Sequence, residues 1–282
     1  MSARPAPAYL RPTRPQEALQ HLANGSFTIL AGGTDYYAAR VGRPLDDAIL
    51  DITALHGLRD IASEIDCWRI GAAATWTDLL ETTLPPAFDG LKLAAREIGG
   101  VQIQNSGTLA GNLCNASPAA DGVPALLALD ARVELSSTLG VRTLPLSQFI
   151  LGPRKTARRP DELLTAILIP KPRHEARSHF LKLGARKYLV ISITMASVVI
   201  EHEAGVVREA RVAVGACSPV ALRLPALEAA LRGQPMDERL AGIASAEHLA
   251  PLAPIDDVRA SALYRADSAL TVVRRTIAGA CA

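Results

Sequence analysis

Cysteine is scarce and scattered in this chain. Four occur in 282 residues, Cys67, Cys114, Cys217 and Cys281. None forms a Cys-x-x-Cys pair, which excludes a zinc or iron–sulfur site built by this chain alone. A disulfide scaffold is excluded too, and a reducing cytoplasm is the expected compartment. Aromatic residues make up 4% of the chain, too few for a stacking platform on single-stranded nucleic acid. The net charge of +2 gives no electrostatic case for nucleic acid or an anionic membrane. No apolar run approaches the roughly 20 residues that span a bilayer. Met1–Pro12 lacks the apolar core of a secretory signal. No Gly-x-Gly-x-x-Gly fingerprint of a nicotinamide-binding Rossmann unit occurs. The histidines, His174, His179 and His202 among them, lack ligand spacing and are expected at the surface.

What is present is apolar: 49% of the residues are hydrophobic, ample for a core. The length implies two domains or more. Ser26–Tyr37 (SFTILAGGTDYY) is the organising stretch. Phe27, Ile29 and Leu30 form an apolar strand that runs into Gly32, Gly33, Thr34 and Asp35. Adjacent glycines let successive N–H groups converge on one anion, with no Cβ in the way. A plain strand-to-loop turn uses the same residues. A second stretch, Gln104–Asn115 (QNSGTLAGNLCN), repeats the chemistry with Gly107, Thr108, Gly111 and Asn112. Two such stretches suggest the two sides of one diphosphate, and hence a dinucleotide.

In chain order, Thr13–Gln16 has the spacing of a capping box, followed by a helix stopped at Asn24-Gly25. A strand follows at Ala48–Ile52, so the first 55 residues form a unit of the βαβ type. Trp68–Ala73 is a strand, and Thr75–Asp78 a second capping box. Leu91–Ile98 has helical spacing. Pro118 and Asp121 precede an apolar helix, Val123–Leu129, which Asp121 could cap. Arg132–Leu135 and Val141–Leu144 pair around Gly140, and Leu163–Ile169 is a further strand. The basic segment from Gly152 to Glu162 suits a solvated loop or a mobile, partner-facing or lid-like one. Pro170–Arg177 is the expected boundary. Beyond it come strands at Phe180–Leu183, Ile193–Glu201 and Val206–Ala216. Helices are expected at Leu224–Leu231, Met236–Leu249 and Ala260–Ile277. Lys182 alternates with Leu181 and Leu183, so its face is solvent by default.

Three motifs in register carry a resemblance: Ala31–Asp35 (AGGTD), Gln104–Asn112 (QNSGTLAGN) and Ser117–Asp121 (SPAAD). Arg186–Ser192, Val212–Ala216, Tyr264-Arg265 and Arg274-Arg275 extend it over nearly the whole chain. Together they resemble the FAD-binding medium subunit of the molybdenum hydroxylases, the carbon monoxide dehydrogenase and xanthine dehydrogenase family. The resemblance implies an α+β fold. It would have a two-part FAD-binding domain of the vanillyl-alcohol-oxidase (PCMH) type, residues 1–55 and 56–172. A smaller α+β domain, 173–282, would carry a three-stranded antiparallel sheet with helices. It implies non-covalent FAD with its diphosphate between the two glycine stretches. Ile29, Leu30, Ala31, Gly32, Gly33, Thr34, Asp35 and Tyr36 would form one wall. Gly107, Thr108, Gly111 and Asn112 would form the other. Cys114 would line the pocket, Leu164 would give an apolar contact, and Asp121, Lys182 and Tyr188 would reach the cofactor. No residue of this chain is assigned a catalytic role, and no metal ligand. In one respect the sequence departs from the family: Ala110 stands where the second motif usually has glycine. The extra iron–sulfur loop of the 4-hydroxybenzoyl-CoA reductase branch is absent.

By the same resemblance the chain is an oxidoreductase subunit that transfers electrons. They come from a [2Fe–2S] partner subunit and go to NAD, a quinone or oxygen. A large molybdopterin subunit would complete a heterotrimer, possibly doubled. A self-sufficient FAD oxidase or dehydrogenase of a small molecule is the competing reading, and a nucleotide-binding scaffold a third.

Overall fold

The computed structural model describes residues 8–282; most of Met1–Pro12, on which the leader reading was made, lies outside them. The chain opens with β1 (Tyr9–Leu10), α1 (Pro15–Asn24), β2 (Thr28–Leu30), α2 (Thr34–Ala38) and β3 (Ile49–Asp51). These strands form a parallel sheet in the order β1-β3-β2, the expected βαβ arrangement. Asp51, at the end of the central strand β3, ties it to β1, accepting from the Tyr9 hydroxyl at 2.6 Å and from Thr53 N at 2.8 Å. The capping box expected at Thr13 does not form. Helix α1 starts at Pro15 with Arg14 as an uncapped N-cap, because proline at the first helical position presets the helical φ and brings no N–H that would need a partner there.

The middle unit holds a five-stranded antiparallel sheet of β4 (Ile61–Ser63), β5 (Cys67–Gly71), β6 (Arg132–Ser137), β7 (Gly140–Pro145) and β10 (Leu163–Pro170). Its order is β4-β5-β10-β6-β7. Between β5 and β6 the chain forms α3 (Trp76–Glu81), α4 (Asp89–Glu97), α5 (Val101–Ser106), α6 (Leu109–Asn115) and α7 (Gly122–Ala128). The capping box at Thr75 and Asp78 is present. Between β7 and β10 lie α8 (Leu146–Phe149) and a hairpin of β8 (Ile150–Gly152) and β9 (Lys155–Thr156). The sheet's apolar face and these helices bury one large core, with Trp76, Phe88, Leu91 and Leu126 at its centre.

Across the central strand, Arg69 of β5 holds Glu134 of β6 in a two-pronged ion pair at 2.6 and 2.8 Å, and Thr165 of β10 donates to the same carboxylate at 2.6 Å. The Arg69 hydrogen bond, against the cost of burial, keeps the Glu134 carboxyl below its usual range. A depressed carboxyl contributes stability above its unfolded-state value, and that stability is lost as pH falls through the folded value. Glu134→Gln is therefore expected to cost about 1–2 kcal/mol at neutral pH, discounted for partial exposure. Denaturant unfolding from pH 7 to pH 3 checks this: the gap between the two proteins should close at the acid end. A gap independent of pH would refute it.

The last unit is an antiparallel sheet of β11 (Glu175–Leu183), β12 (Thr194–Glu203), β13 (Val206–Gly215) and β14 (Leu222–Arg223), followed by α9 (Pro225–Leu231) and α10 (Ala262–Cys281). The sheet has four strands where three were expected; β14 is two residues long and leaves no alternation to detect. The helix expected at Met236–Leu249 is instead two 3-10 turns, Leu240–Ile243 and Ala246–Leu249. The second starts afresh at Ser245, whose backbone N–H donates to His248 Nδ1. Helix α10 buries Ala269, Val273 and Ile277, while Leu263 in its first turn is exposed. Both faces of the sheet are covered. Phe180, Met195 and Val199 join the core of the middle unit, and Val198, Ile200 and Val212 pack under α9 and α10. His179, expected at the surface, is half-buried with its ring against Gly279, and burial lowers its pKa.

Candidate functional site: a cleft between two glycine turns

Strand β2 delivers the chain to Gly32 and Gly33 at the start of α2. Gly33 takes φ +68° as the N-cap, a conformation glycine adopts freely. Gly32 is needed for a different reason. A Cβ there would lie 1.8 Å from the Ser106 carbonyl oxygen and 2.9 Å from Gly107 N. The first glycine turn is thus seated directly on the second. Thr34 Oγ1 faces Gly107 as well. Among the described residues, the N–H groups of Gly32, Gly33 and Thr34 find no acceptor. Tyr36 and Arg40 then brace α2: the Tyr36 hydroxyl donates to Asp47 at 2.9 Å, and Arg40 pairs with Asp47 at 2.8 Å while lying over the Tyr36 ring.

The second stretch is less of a loop than its glycines suggest. It consists of α5, a two-residue break at Gly107-Thr108, and α6. Thr108 caps α6 by accepting from Gly111 N at 2.9 Å. Gly107 N donates to Ile103 O, and Asn112 N to Thr108 O. Those N–H groups are committed within the protein, so this wall contributes shape and side chains more than free amides. Ala110 sits inside α6 and is not among the residues with positive φ. The alanine at this position is therefore compatible with the turn. Asn112 Oδ1 is buried at the cleft and has no hydrogen-bond partner among the described residues.

Between the turns lies a cleft of about 680 Å³, within the roughly 300–1,000 Å³ of cofactor sites. All eight residues from Ile29 to Tyr36 line it, with Gly107, Thr108, Gly111 and Asn112 opposite, and Cys114 and Leu164 also in its lining. Cys114 opens onto the cleft, and desolvation pushes its thiol up to about 11, against the opposing charge of Arg158. Asp121, Lys182 and Tyr188 are placed elsewhere. Asp121 occupies the N-cap position of α7 without capping it. It pairs with Lys182 at 2.8 Å and accepts from the Ser192 hydroxyl at 2.5 Å. Burial raises the Asp121 carboxyl, with Lys182 and Ser192 opposing the rise. The Lys182 side chain is 4% exposed, because the face opposite Leu181 and Leu183 is covered by the middle unit. The cluster adjoins the cleft through Gly122, whose absent Cβ would meet Asn112 Oδ1 at 3.0 Å and the Trp76 ring at 2.5 Å. Tyr188 is exposed on the loop after β11, with Lys187 5.2 Å from its ring.

Sequence reasoning missed Trp76, Arg154, Thr156 and Arg158, which also line the cleft. The last three belong to the basic segment expected to be a solvated or mobile loop. Here it is a hairpin wall, tied to α6 by Arg154 N donating to Ala116 O and by the Arg154 guanidinium on Asn115. Its basic composition was visible; its position was not.

Residues 3–172 match the family model of the FAD binding domain in molybdopterin dehydrogenase, and residues 179–280 that of the CO dehydrogenase flavoprotein C-terminal domain. The xanthine dehydrogenase FAD-binding subunit of Escherichia coli O157:H7 is 30% identical over 282 residues, covering 98% of this chain and 96% of that one. The nicotinate dehydrogenase FAD-subunit of Eubacterium barkeri is 35% identical, over 74% of this chain and 72% of that one. Among solved structures, carbon monoxide dehydrogenase from Hydrogenophaga pseudoflava superposes with a TM-score of 0.87 at 28% identity, over 99% and 98% of the two chains. Reconstituted CO dehydrogenase from Oligotropha carboxidovorans gives 0.88 at 26% identity, over 99% of each. Two seated glycine turns, the cleft between them and these matches along the chain agree: it belongs to the FAD-binding medium-subunit family of the molybdenum hydroxylases, with the flavoprotein subunits of xanthine and carbon monoxide dehydrogenases.

Proposed function

We propose that this chain binds one FAD non-covalently in the cleft and serves as the electron-transfer subunit of a molybdenum hydroxylase complex. The single observation that carries the reading is the seating of Gly32 on Ser106–Gly107, which gives one cleft two glycine walls. The residues fit the group. The N–H groups of Gly32, Gly33 and Thr34 would hold the diphosphate, and the unpartnered Asn112 Oδ1 suits a ring N–H donor. Ile29, Leu164 and the edge of Trp76 supply apolar walls. Asp121, Lys182 and Tyr188 complete the proposed set from the Asn112 end. When bound, FAD accepts and releases electrons singly or in pairs; the protein's part is to hold, orient and shield it. We assign the cofactor-binding units to 1–55 and 56–172 and the remainder to 173–282, a division supported by the separate main sheet of each unit, with three, five and four strands.

The partners follow from the family: a large molybdopterin subunit and a small [2Fe–2S] subunit as donor in a cytoplasmic heterotrimer, with NAD, a quinone or oxygen as acceptor. Purification of the chain is expected to yield a yellow protein that releases one equivalent of FAD on acid precipitation. Co-expression with the adjacent coding sequences should return molybdenum and iron in the same complex. A colourless chain that takes up no added FAD would refute the cofactor reading. A flavin reduced anaerobically by a small organic substrate without partner subunits would refute the electron-transfer reading.

A further inference from the structure

The cleft carries two cations that no acidic side chain among the described residues neutralises. Arg40 is paired with Asp47, but Arg154 and Arg158 make no ion pair among the described residues. Both reach the cleft from the segment after β8. Arg158 is held in place rather than free to wander. Its Nη1 donates to the carbonyls of Glu162 at 2.7 Å and Arg159 at 2.9 Å, which leaves Nε and Nη2 without a partner among the described residues. The segment that presents it is itself fixed. Arg142 pairs with the buried Glu162 at 2.5 Å and donates to Ala157 O at 2.8 Å, and Glu162 accepts from Arg159 N at 2.7 Å. The charge of Arg158 is felt at the Cys114 thiol, which also lines the cleft. A guanidinium with one edge anchored and the other open is suited to bind a phosphate in a fork.

We propose that Arg158 is a phosphate-binding residue of this cleft, a cation that neutralises the nucleotide's diphosphate opposite the glycine turns, with Arg154 in support. This rests on the FAD reading above and adds to it a side-chain counter-ion where the glycine turns offer only amides. The Arg142–Glu162 pair is then a positioning device for that cation.

The test is titration of the full-length apoprotein with FAD, followed by flavin fluorescence, with ADP as competitor. Arg158→Gln is expected to weaken FAD about tenfold to hundredfold, the range for losing a charge-assisted hydrogen bond. ADP competition should weaken by a similar factor, the loss should shrink at high salt, and Arg158→Lys should recover part of it. Unchanged affinity for FAD in Arg158→Gln overturns the proposal. So does a loss that leaves ADP competition intact or that Arg158→Lys does not partly restore. Failure of the wild-type chain itself to bind FAD is a separate result, which counts against the cofactor reading.

Discussion

Gly32→Ala is expected to abolish flavin retention on purification. The reason is steric and local. The new methyl carbon would sit 1.8 Å from Ser106 O and 2.5 Å from Ser106 C, where ordinary contact begins at 3.4 Å. Both obstructing atoms are backbone, so no rotamer change relieves the clash, and the two glycine turns must part. Ser106 ends α5, and Thr108, two residues on, caps α6; parting the turns moves the second wall of the cleft. Overpacking of this kind costs about 1–3 kcal/mol or more, and a cost of 2–3 kcal/mol borne at the site weakens binding roughly thirty- to 150-fold. Gly242→Ala is the control, since a Cβ there meets nothing within 4 Å. Flavin stoichiometry and thermal unfolding of both variants, with and without added FAD, measure the effect. Wild-type flavin content in Gly32→Ala would mean that the turns are not seated on each other.

The sequence made the first wall legible because its signal is local. A strand followed by paired glycines and a hydroxyl residue is a pattern that short-range sterics enforce. The second wall was legible in composition but not in conformation. Gly107, Gly111 and Asn112 look like loop residues, yet Gly107 only ends α5, and Thr108 caps a helix that runs through Gly111 and Asn112. The same locality explains the capping box found at Thr75 and the one lost at Thr13, where Pro15 set the start instead. What stayed hidden was long-range. Lys182 alternates with leucines and so belongs to the opposite face of β11, but only the packing of α4 and α7 across that face decides that it is buried. The arginines of the 150s were visible as charge. That they close the cleft depends on a hairpin folding back onto α6, which no period or spacing encodes.

Lys182→Met tests that buried face most severely. All three donors of the Lys182 ammonium are used, on Asp121 Oδ2 at 2.8 Å, Val190 O at 3.1 Å and Glu97 O at 3.2 Å. Removing it leaves the Asp121 carboxylate, with its side chain 10% exposed, supported by Ser192 alone. Breaking one side of a buried pair costs about 3–5 kcal/mol. Burial already raises the Asp121 carboxyl, and loss of the lysine removes the main force opposing that rise. A group whose folded pKa is raised contributes stability below its unfolded value and loses it as pH rises through the folded one. The deficit of Lys182→Met should therefore be larger at pH 8 than at pH 5. Asp121→Asn alone strands the ammonium and should be destabilising at neutral pH as well. The double variant Asp121→Asn/Lys182→Met removes both charges together, so its loss should be well below the sum of the single losses. Val190 and Ser192 belong to the stretch that carries Tyr188, so the pair also tethers that loop beside the Asn112 end of the cleft. Restored stability with FAD affinity still below wild type is the expected signature of a pair that serves the cofactor as well as the fold. Denaturant unfolding at the two pH values and FAD titration of all three variants provide the measurements. A Lys182→Met deficit under about 1 kcal/mol, the scale of an exposed pair, would show that the ion pair is not buried as described.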